Sequence, residues 1–474
     1  MSRQISDFNL FKTSLQLLNG SSHLLHNSLT LLVITCSNFF TTKSHTPCHD
    51  GERIARSNAL PALIPNDTIS IWKNKGNDVD HVYRENETKF AFSLFAIIVV
   101  CTHCKFVHGR RLAIQTNKDM FMHEGTVKTI ESDDGDIIDC VEINKQPAFS
   151  HPLLRNHSIQ MKPNFQSSGL SANNKNPVIY QSWHKNGECP KGTIPIIRTQ
   201  QFNCPPPSHP PITQPNHTFE NQGPLFEYAY ATLTRENYFG AQAYFNVWHP
   251  ETYNDECSKA QVWILGGLGR NLNAIETGWM VCGDDDRTRL FIYWTVDGYQ
   301  NTGCYNLQCP GFVQIDPFFA LGGSIEPVSI YKGEQREIQF IVKKDPEAQN
   351  WWLKVGDRIV GYWPHSIMTG LYYSGSEIKW GGAVLNKNVG DHHTATQMGS
   401  GHFPEEGFGK ASYIRNLGFY NESYNLITNF KGLYIGPVAT RPSCYDVILE
   451  DHGAANYGTH LYFGGSGFSM DCLG

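Results

Sequence analysis

Ala274-Ile275-Glu276-Thr277-Gly278-Trp279-Met280-Val281 is the stretch whose alternation decides the fold. Successive side chains of a strand point to opposite faces, so Ile275, Thr277, Trp279 and Val281 share one face and Glu276, Gly278 and Met280 the other. Glu377-Ile378-Lys379-Trp380-Gly381-Gly382-Ala383-Val384 has the same design. Ile378, Trp380, Gly382 and Val384 fall on one side, and Glu377, Lys379, Gly381 and Ala383 on the other. Comparable runs of aromatic and β-branched residues, broken by Gly or Asn/Asp turns, recur from Phe226 onward, at Tyr238 to Val247, Ala260 to Leu265, Arg289 to Val296 and Arg336 to Val342. Strands this close together, without amphipathic helices between them, predict an all-β, antiparallel sandwich or barrel. Eight of the ten tryptophans lie in this half, so the core belongs to it.

The chain has 474 residues, enough for two to four domains or one large β domain with an appended region. Charged residues make up 17% and aromatics 12%, alongside 42 glycines and 25 prolines. That is too aromatic for disorder and too rich in turn residues for a helical protein. A net charge of -6 without a late Lys/Arg block argues against a nucleic-acid partner.

Nine of the thirteen cysteines fall after residue 120, none in a paired C-x-x-C zinc arrangement; Cys101 and Cys104 have that spacing alone, inside an apolar stretch. Sequons at Asn156, Asn216 and Asn421 accompany them. Together they predict an oxidising, secretory, extracellular location. The apolar run Phe90 to Cys101 has the length of a signal-peptide core and is too short to span a bilayer. It lies far from Met1. One reading makes residues 1 to 89 foreign to the mature protein; the other is an uncleaved signal anchor, the sole route to a membrane. Residues 164 to 222, dominated by Asn, Ser, Pro and Gln, read as an extended, protease-accessible linker.

No G-x-S-x-G elbow, H-E-x-x-H helix or Walker loop is present. His392, His393 and His402 lack a fixed metal-ligand spacing and read as loop histidines. Glu276, beside a glycine in an apolar strand, reads as an acid on an open, concave sheet face, where apolar surroundings raise its pKa. The alternative is a solvated glutamate on a half-exposed strand. Glu405 and Glu406, in a glycine-dense loop, read as solvated charges.

The stretches IETGW, TRLFIYWTVDGYQNTGCYNLQCPGFVQ, NWWLKVGDRIVGYWP, IKWGG and TQMGSGHFPEEGFGKASYIRN resemble the plant neprosin family, and DGDIIDCVEINKQPAFSHPLL is similar to its activation peptide. The resemblance runs in order over roughly residues 125 to 474. It implies a secreted zymogen in which a small propeptide domain precedes an antiparallel β-sandwich. It divides the chain into an atypical extension with a signal-like segment (1–105), activation peptide and linker (106–216) and sandwich (217–474). Implied too is glutamic peptidase chemistry after proline at acid pH, by two glutamates, with no metal or cofactor. One carboxylate activates water and the other, kept protonated, donates to the scissile amide. The first family glutamate falls on Glu276; the second falls on Ala383, where a methyl neither orients water nor gives a proton. Glu377 shares that strand face but lies six residues along, about 20 Å at strand rise.

The resemblance also implies the pairs Cys140–Cys189, Cys304–Cys309 and Cys444–Cys472, leaving Cys204, Cys257 and Cys282 with one odd thiol. Cys257 with Cys282 is one option among these. The implied partners are a proline-containing peptide or protein substrate and the chain's own activation peptide, which would cover the groove. Two functions stand: a neprosin-type endopeptidase, or an inactive extracellular peptide- or glycan-binding protein on the same scaffold.

Overall fold

The structure is a computed structural model that describes residues 122–165, 179–198, 204, 206–207, 225–253, 255–283, 285, 287–387, 392–451 and 457–473. The signal-like segment and Asn216 lie outside these residues. Asn156 is exposed and Asn421 half-buried in its own turn.

A small antiparallel sheet comes first, of β1 (Thr126–Glu131), β2 (Ile137–Glu142) and β3 (Thr193–Ile197) in the order β1-β2-β3. Ile130, Ile138, Trp183 and Ile197 form its core, and the Cys140–Cys189 disulfide closes it. So short a segment cannot bury enough apolar surface by itself, and it leans on the larger β domain C-terminal to it.

That larger domain consists of two stacked antiparallel sheets. The strands are β4 (Leu225–Tyr238), β5 (Gly240–Asn246), β6 (Cys257–Gly266), β7 (Asn273–Cys282), β8 (Arg289–Thr295) and β9 (Cys304–Tyr305). They continue through β10 (Val313–Gln314), β11 (Glu337–Lys344), β12 (Trp351–Val355), β13 (Arg358–Trp363) and β14 (Gly375–Asn386). The last are β15 (Ser412–Tyr420), β16 (Leu426–Ile427), β17 (Tyr434–Ala439), β18 (Asp446–Glu450) and β19 (His460–Gly464). One sheet runs β17-β4-β14-β6-β7-β8-β9. The other runs β10-β13-β12-β11-β5-β15-β19-β18, with β16 added to β15. The sandwich, rather than the barrel, is the outcome.

The alternation expected for β7 and β14 is the one found. Ile275, Trp279, Ile378, Trp380 and Val384 join the core between the sheets, facing Ala243 and Phe245 of β5 and Phe340 and Val342 of β11. Trp279 is fully buried, and its indole N–H donates to the Asn246 carbonyl at 3.0 Å, tying the two layers together. Each such side chain contributes about 1.5–3 kcal/mol by leaving water. The other face of the first sheet carries a second apolar cluster that includes Phe226, Tyr228, Trp263, Met280, Tyr293 and Tyr305. That face holds Glu276.

The small sheet docks on the sandwich through polar groups as well as apolar ones. Asp136 accepts two hydrogen bonds from the Arg289 guanidinium, at 2.8 and 3.0 Å, with both side chains nearly buried. Gln146 and Gln314 exchange backbone-to-amide bonds, Gln181 does the same with Ala320, and the Tyr362 hydroxyl meets His157 and the Gln160 amide. Asp345 accepts from Gln160 and Asn164.

Candidate active site

Glu276 is fully buried. Neither the open face nor the solvated alternative is found, because the aromatics of β4, β8 and β9 and the β8–β9 loop cover this part of the sheet. Strand β7 presents Glu276 opposite Trp263 of β6 and Tyr293 of β8. Tyr299 is laid over it by a tight loop. There the Asp297 carboxylate accepts the backbone N–H groups of Gln300, Asn301 and Thr302 at 3.1, 2.8 and 3.1 Å. Those bonds outweigh the effect of burial and hold Asp297 at about 2. So fixed, Tyr299 donates its hydroxyl proton to Glu276 Oε1 at 2.7 Å; Gln261 adjoins the same carboxyl, and neither Oε2 nor Gln261 Oε1 has a partner of good geometry among the described residues. Two orphaned acceptors buried on one face are costly.

Gln261 stands between two glycines on its ladder rung, Gly278 on β7 and Gly381 on β14. A Cβ at either would collide with the backbone of the adjoining strand. Glycine stands at both positions because the backbone of a neighbouring strand approaches closely.

Burial also governs the cation nearest Ala383 in register. Lys259 is fully buried, its ammonium donating to the Tyr305 hydroxyl and lying 4.8 Å from the Phe226 ring centre. Burial pushes the Glu276 acid up and the Lys259 ammonium down, and their attraction partly opposes both shifts. Lys259 is on the same rung as Ala383 of β14, which in turn faces Tyr228 of β4. Ala383 is buried, so the position implied for a second carboxylate holds a methyl beside an ammonium. Lys259, Gln261 and Tyr299 were not picked out from sequence. The strand Cys257-Ser258-Lys259-Ala260-Gln261-Val262-Trp263 does alternate, but the rung shared with Ala383 needs the register.

No other acid among the described residues is brought to Glu276 as a partner. Glu377 accepts from Thr232 at 3.0 Å and pairs with Lys379 at 3.3 Å. Glu406 is held by His402 at 2.6 Å and Tyr331 at 2.9 Å, on a turn that packs against β18 and β19. Glu405 is exposed. The three loop histidines part company: His393 pairs with Glu227 at 2.8 Å, His402 with Glu406, and His392 lies against Phe468.

The implied pairs Cys140–Cys189, Cys304–Cys309 and Cys444–Cys472 are all formed. The remaining three sulfurs, of Cys204, Cys257 and Cys282, converge on one point. The described part of the small sheet docks against Arg289, residues 314–326 and β11–β13 and not across Glu276. Cys204 is the residue N-terminal to β4 that joins the aromatic cluster on the Glu276 face.

The docking surface is acid-sensitive. Asp134 accepts from Ser182 at 2.6 Å and from Ser324 of the sandwich. Burial raises its pKa, but these hydroxyls outweigh that and bring it from 3.8 to about 2. A carboxyl depressed on folding contributes stability above its ordinary pKa and loses it as pH falls through the folded value. Protection of residues 122–165 and 179–198 from hydrogen exchange is therefore expected to hold above about pH 4 and to fade towards pH 2, with Asp134 supplying about 1–2 kcal/mol of it. Equal protection at about pH 2 and 5 would contradict this.

These features define a class: a disulfide-stapled β-sandwich with a buried acid on one face, preceded by a separately cored, ion-paired sheet. The Neprosin family model matches residues 254–466, and the Neprosin activation peptide model matches residues 129–204. The chain belongs to the neprosin family. Among solved structures it is similar to Scytalido-glutamic peptidase with a peptide-based transition state analog, at 11% identity and a TM-score of 0.29, over 51% of this chain and 98% of that one. SCP-B, a member of the Eqolisin family of peptidases in a complex with the tripeptide Ala-Ile-His, matches at 10% identity and 0.28, with the same coverage. CG-16, a homodimeric agglutinin from chicken liver, matches at 10% identity and 0.19, over 33% of this chain and 92% of that one.

Proposed function

We propose that this is the secreted zymogen of a neprosin-type glutamic peptidase scaffold. Its mature sandwich binds extended, proline-containing peptide at the Glu276 face, and its hydrolytic step is strongly suppressed. One observation carries the reading: buried Glu276 shares its face with Ala383 and Lys259 in place of a second carboxyl. A lone acid supplies one of the two protonation states that amide hydrolysis needs; a carboxyl pair supplies both because like charges resist double ionisation.

Peptide binding is favoured by the lining. Proline lacks an N–H and is recognised by stacking of its rigid ring on aromatic side chains. Tyr228, Tyr230, Trp263, Tyr293 and Tyr305 form one such cluster, buried in this state, so a peptide reaches these rings only once the face is uncovered. The disulfide set supports an oxidising destination.

The test is to incubate acid-treated protein with a proline-rich peptide between about pH 2.5 and 6 and follow both binding and cleavage products by mass spectrometry. Retained binding with slow cleavage that Glu276→Gln abolishes is the expected result. Brisk wild-type cleavage after proline that survives Glu276→Gln would overturn the assignment of Glu276.

A further inference from the structure

We infer that Cys204 is a covalent latch, by which the activation domain stays attached to the Glu276 face after the connecting chain is cut, until a thiol–disulfide exchange frees it. The inference rests on the zymogen reading and adds a means of regulation to it.

The argument begins with counting. The Sγ atoms of Cys204, Cys257 and Cys282 lie together, yet a sulfur shares a disulfide with one partner. The trio therefore holds one bridge and one thiol. Cys257 and Cys282 face each other across the β6–β7 ladder with their Cα atoms 4.2 Å apart. That is just under the usual disulfide span of about 4.4–6.8 Å. Cys204 is 6.4 Å from Cys257 and 6.0 Å from Cys282 by the same measure, inside that span. These spans favour a bridge made by Cys204 as the resting one.

Position gives this bridge its consequence. Cys204 is the last residue matched as activation peptide, and β4 starts at Leu225. A cut anywhere in 208–224 separates the two parts of the chain while leaving the bridge whole. On its sandwich side the bridge lands beside Met280, in the cluster that contains Ala383, Trp263 and Tyr293. Cys282 and Glu276 project from the same face of β7. A tethered Cys204 thus stays in the cluster on the face that peptide must reach.

Release needs no oxidant. With Cys204 bridged to Cys282, the partly exposed member, the thiolate of a small thiol reductant attacks Cys282 Sγ, the Cys204–Cys282 bond breaks as a mixed disulfide between the reductant and Cys282 forms, and Cys204 leaves as a thiolate that takes up a proton. One disulfide exists before and after. If Cys204 is bridged to Cys257, the same exchange takes place at Cys257 Sγ.

The experiment needs no activity of the protein itself, so a failed autolysis assay leaves it intact. The folded full chain is cut at Glu220 with a glutamate-specific endopeptidase, free thiols are blocked at the moment of quenching, and the pieces are resolved before and after reduction. In wild type the two pieces are expected to stay together until reduced, with one blocked thiol among the three cysteines. Cys204→Ser is expected to separate without reductant. Cys282→Ser is expected to remain joined through Cys204–Cys257, which guards against misfolding as the cause of separation. Wild-type pieces that part unreduced, with a mapped Cys257–Cys282 bridge, would overturn the latch. Three intact thiols carrying a metal ion in native mass spectrometry would overturn it equally.

Discussion

Pairing Ala383→Glu with Lys259→Leu is expected to raise cleavage of a proline-containing peptide by about 10²–10⁴-fold over wild type at acid pH, the range of one general acid–base group. Restoring the carboxylate alone is expected to gain less. Lys259 occupies the rung of Ala383 and is fully buried, so an acid introduced there meets an ammonium at once. Ion pairing would hold the new carboxyl ionised, whereas the chemistry needs one member of the pair protonated. Replacing Lys259 with an apolar residue removes that clamp and one buried charge. The measurement is product formation against pH for the wild type, both single variants and the pair. A double variant no faster than wild type would show that the missing carboxylate is not what limits the chemistry.

Arg289→Met should loosen the activation domain by about 3–5 kcal/mol, the typical loss when one partner of a buried ion pair is removed. The guanidinium is nearly buried, bonded twice by Asp136, and bonded also by Asp285 and the Gly322 carbonyl. Its attraction to these acids outweighs the burial that would lower its pKa, and holds it firmly charged. Removing it leaves Asp136 between the two cores with only the longer pairing to Arg287, at 3.3 Å. The expected readout is a lower urea midpoint for the small sheet and early proteolysis within residues 122–198. Arg289→Lys keeps the charge but loses the two-pronged geometry, and should fall between the two. An unchanged midpoint in the Met variant would mean that the apolar contacts around Trp183 and Ala320 carry the docking.

Much of this was legible in the chain. The period of two in β7 and β14 placed Ile275, Trp279, Ile378, Trp380 and Val384 inward and Glu276 on the other face, because strand geometry fixes that alternation locally. The unusual family motifs carried the cysteine pairs and the contrast between Glu276 and Ala383. Exposure was misread. Alternation tells which side of a sheet a residue takes, but not what later packs over that side. Here β9, the Asp297-anchored loop and the rings of β4 bury an acid that strand pattern alone would leave open.

Sequence by itself determined the class of fold, the inward stripes and the likeness to neprosins, since each is written in neighbouring residues or contiguous motifs. Tertiary structure alone decided who meets whom across strands. It put Lys259 level with Ala383, Tyr299 on Glu276 and Cys204 against both Cys257 and Cys282. Those meetings depend on sheet order and register, which are set by the summed packing of the two layers and not by any one strand.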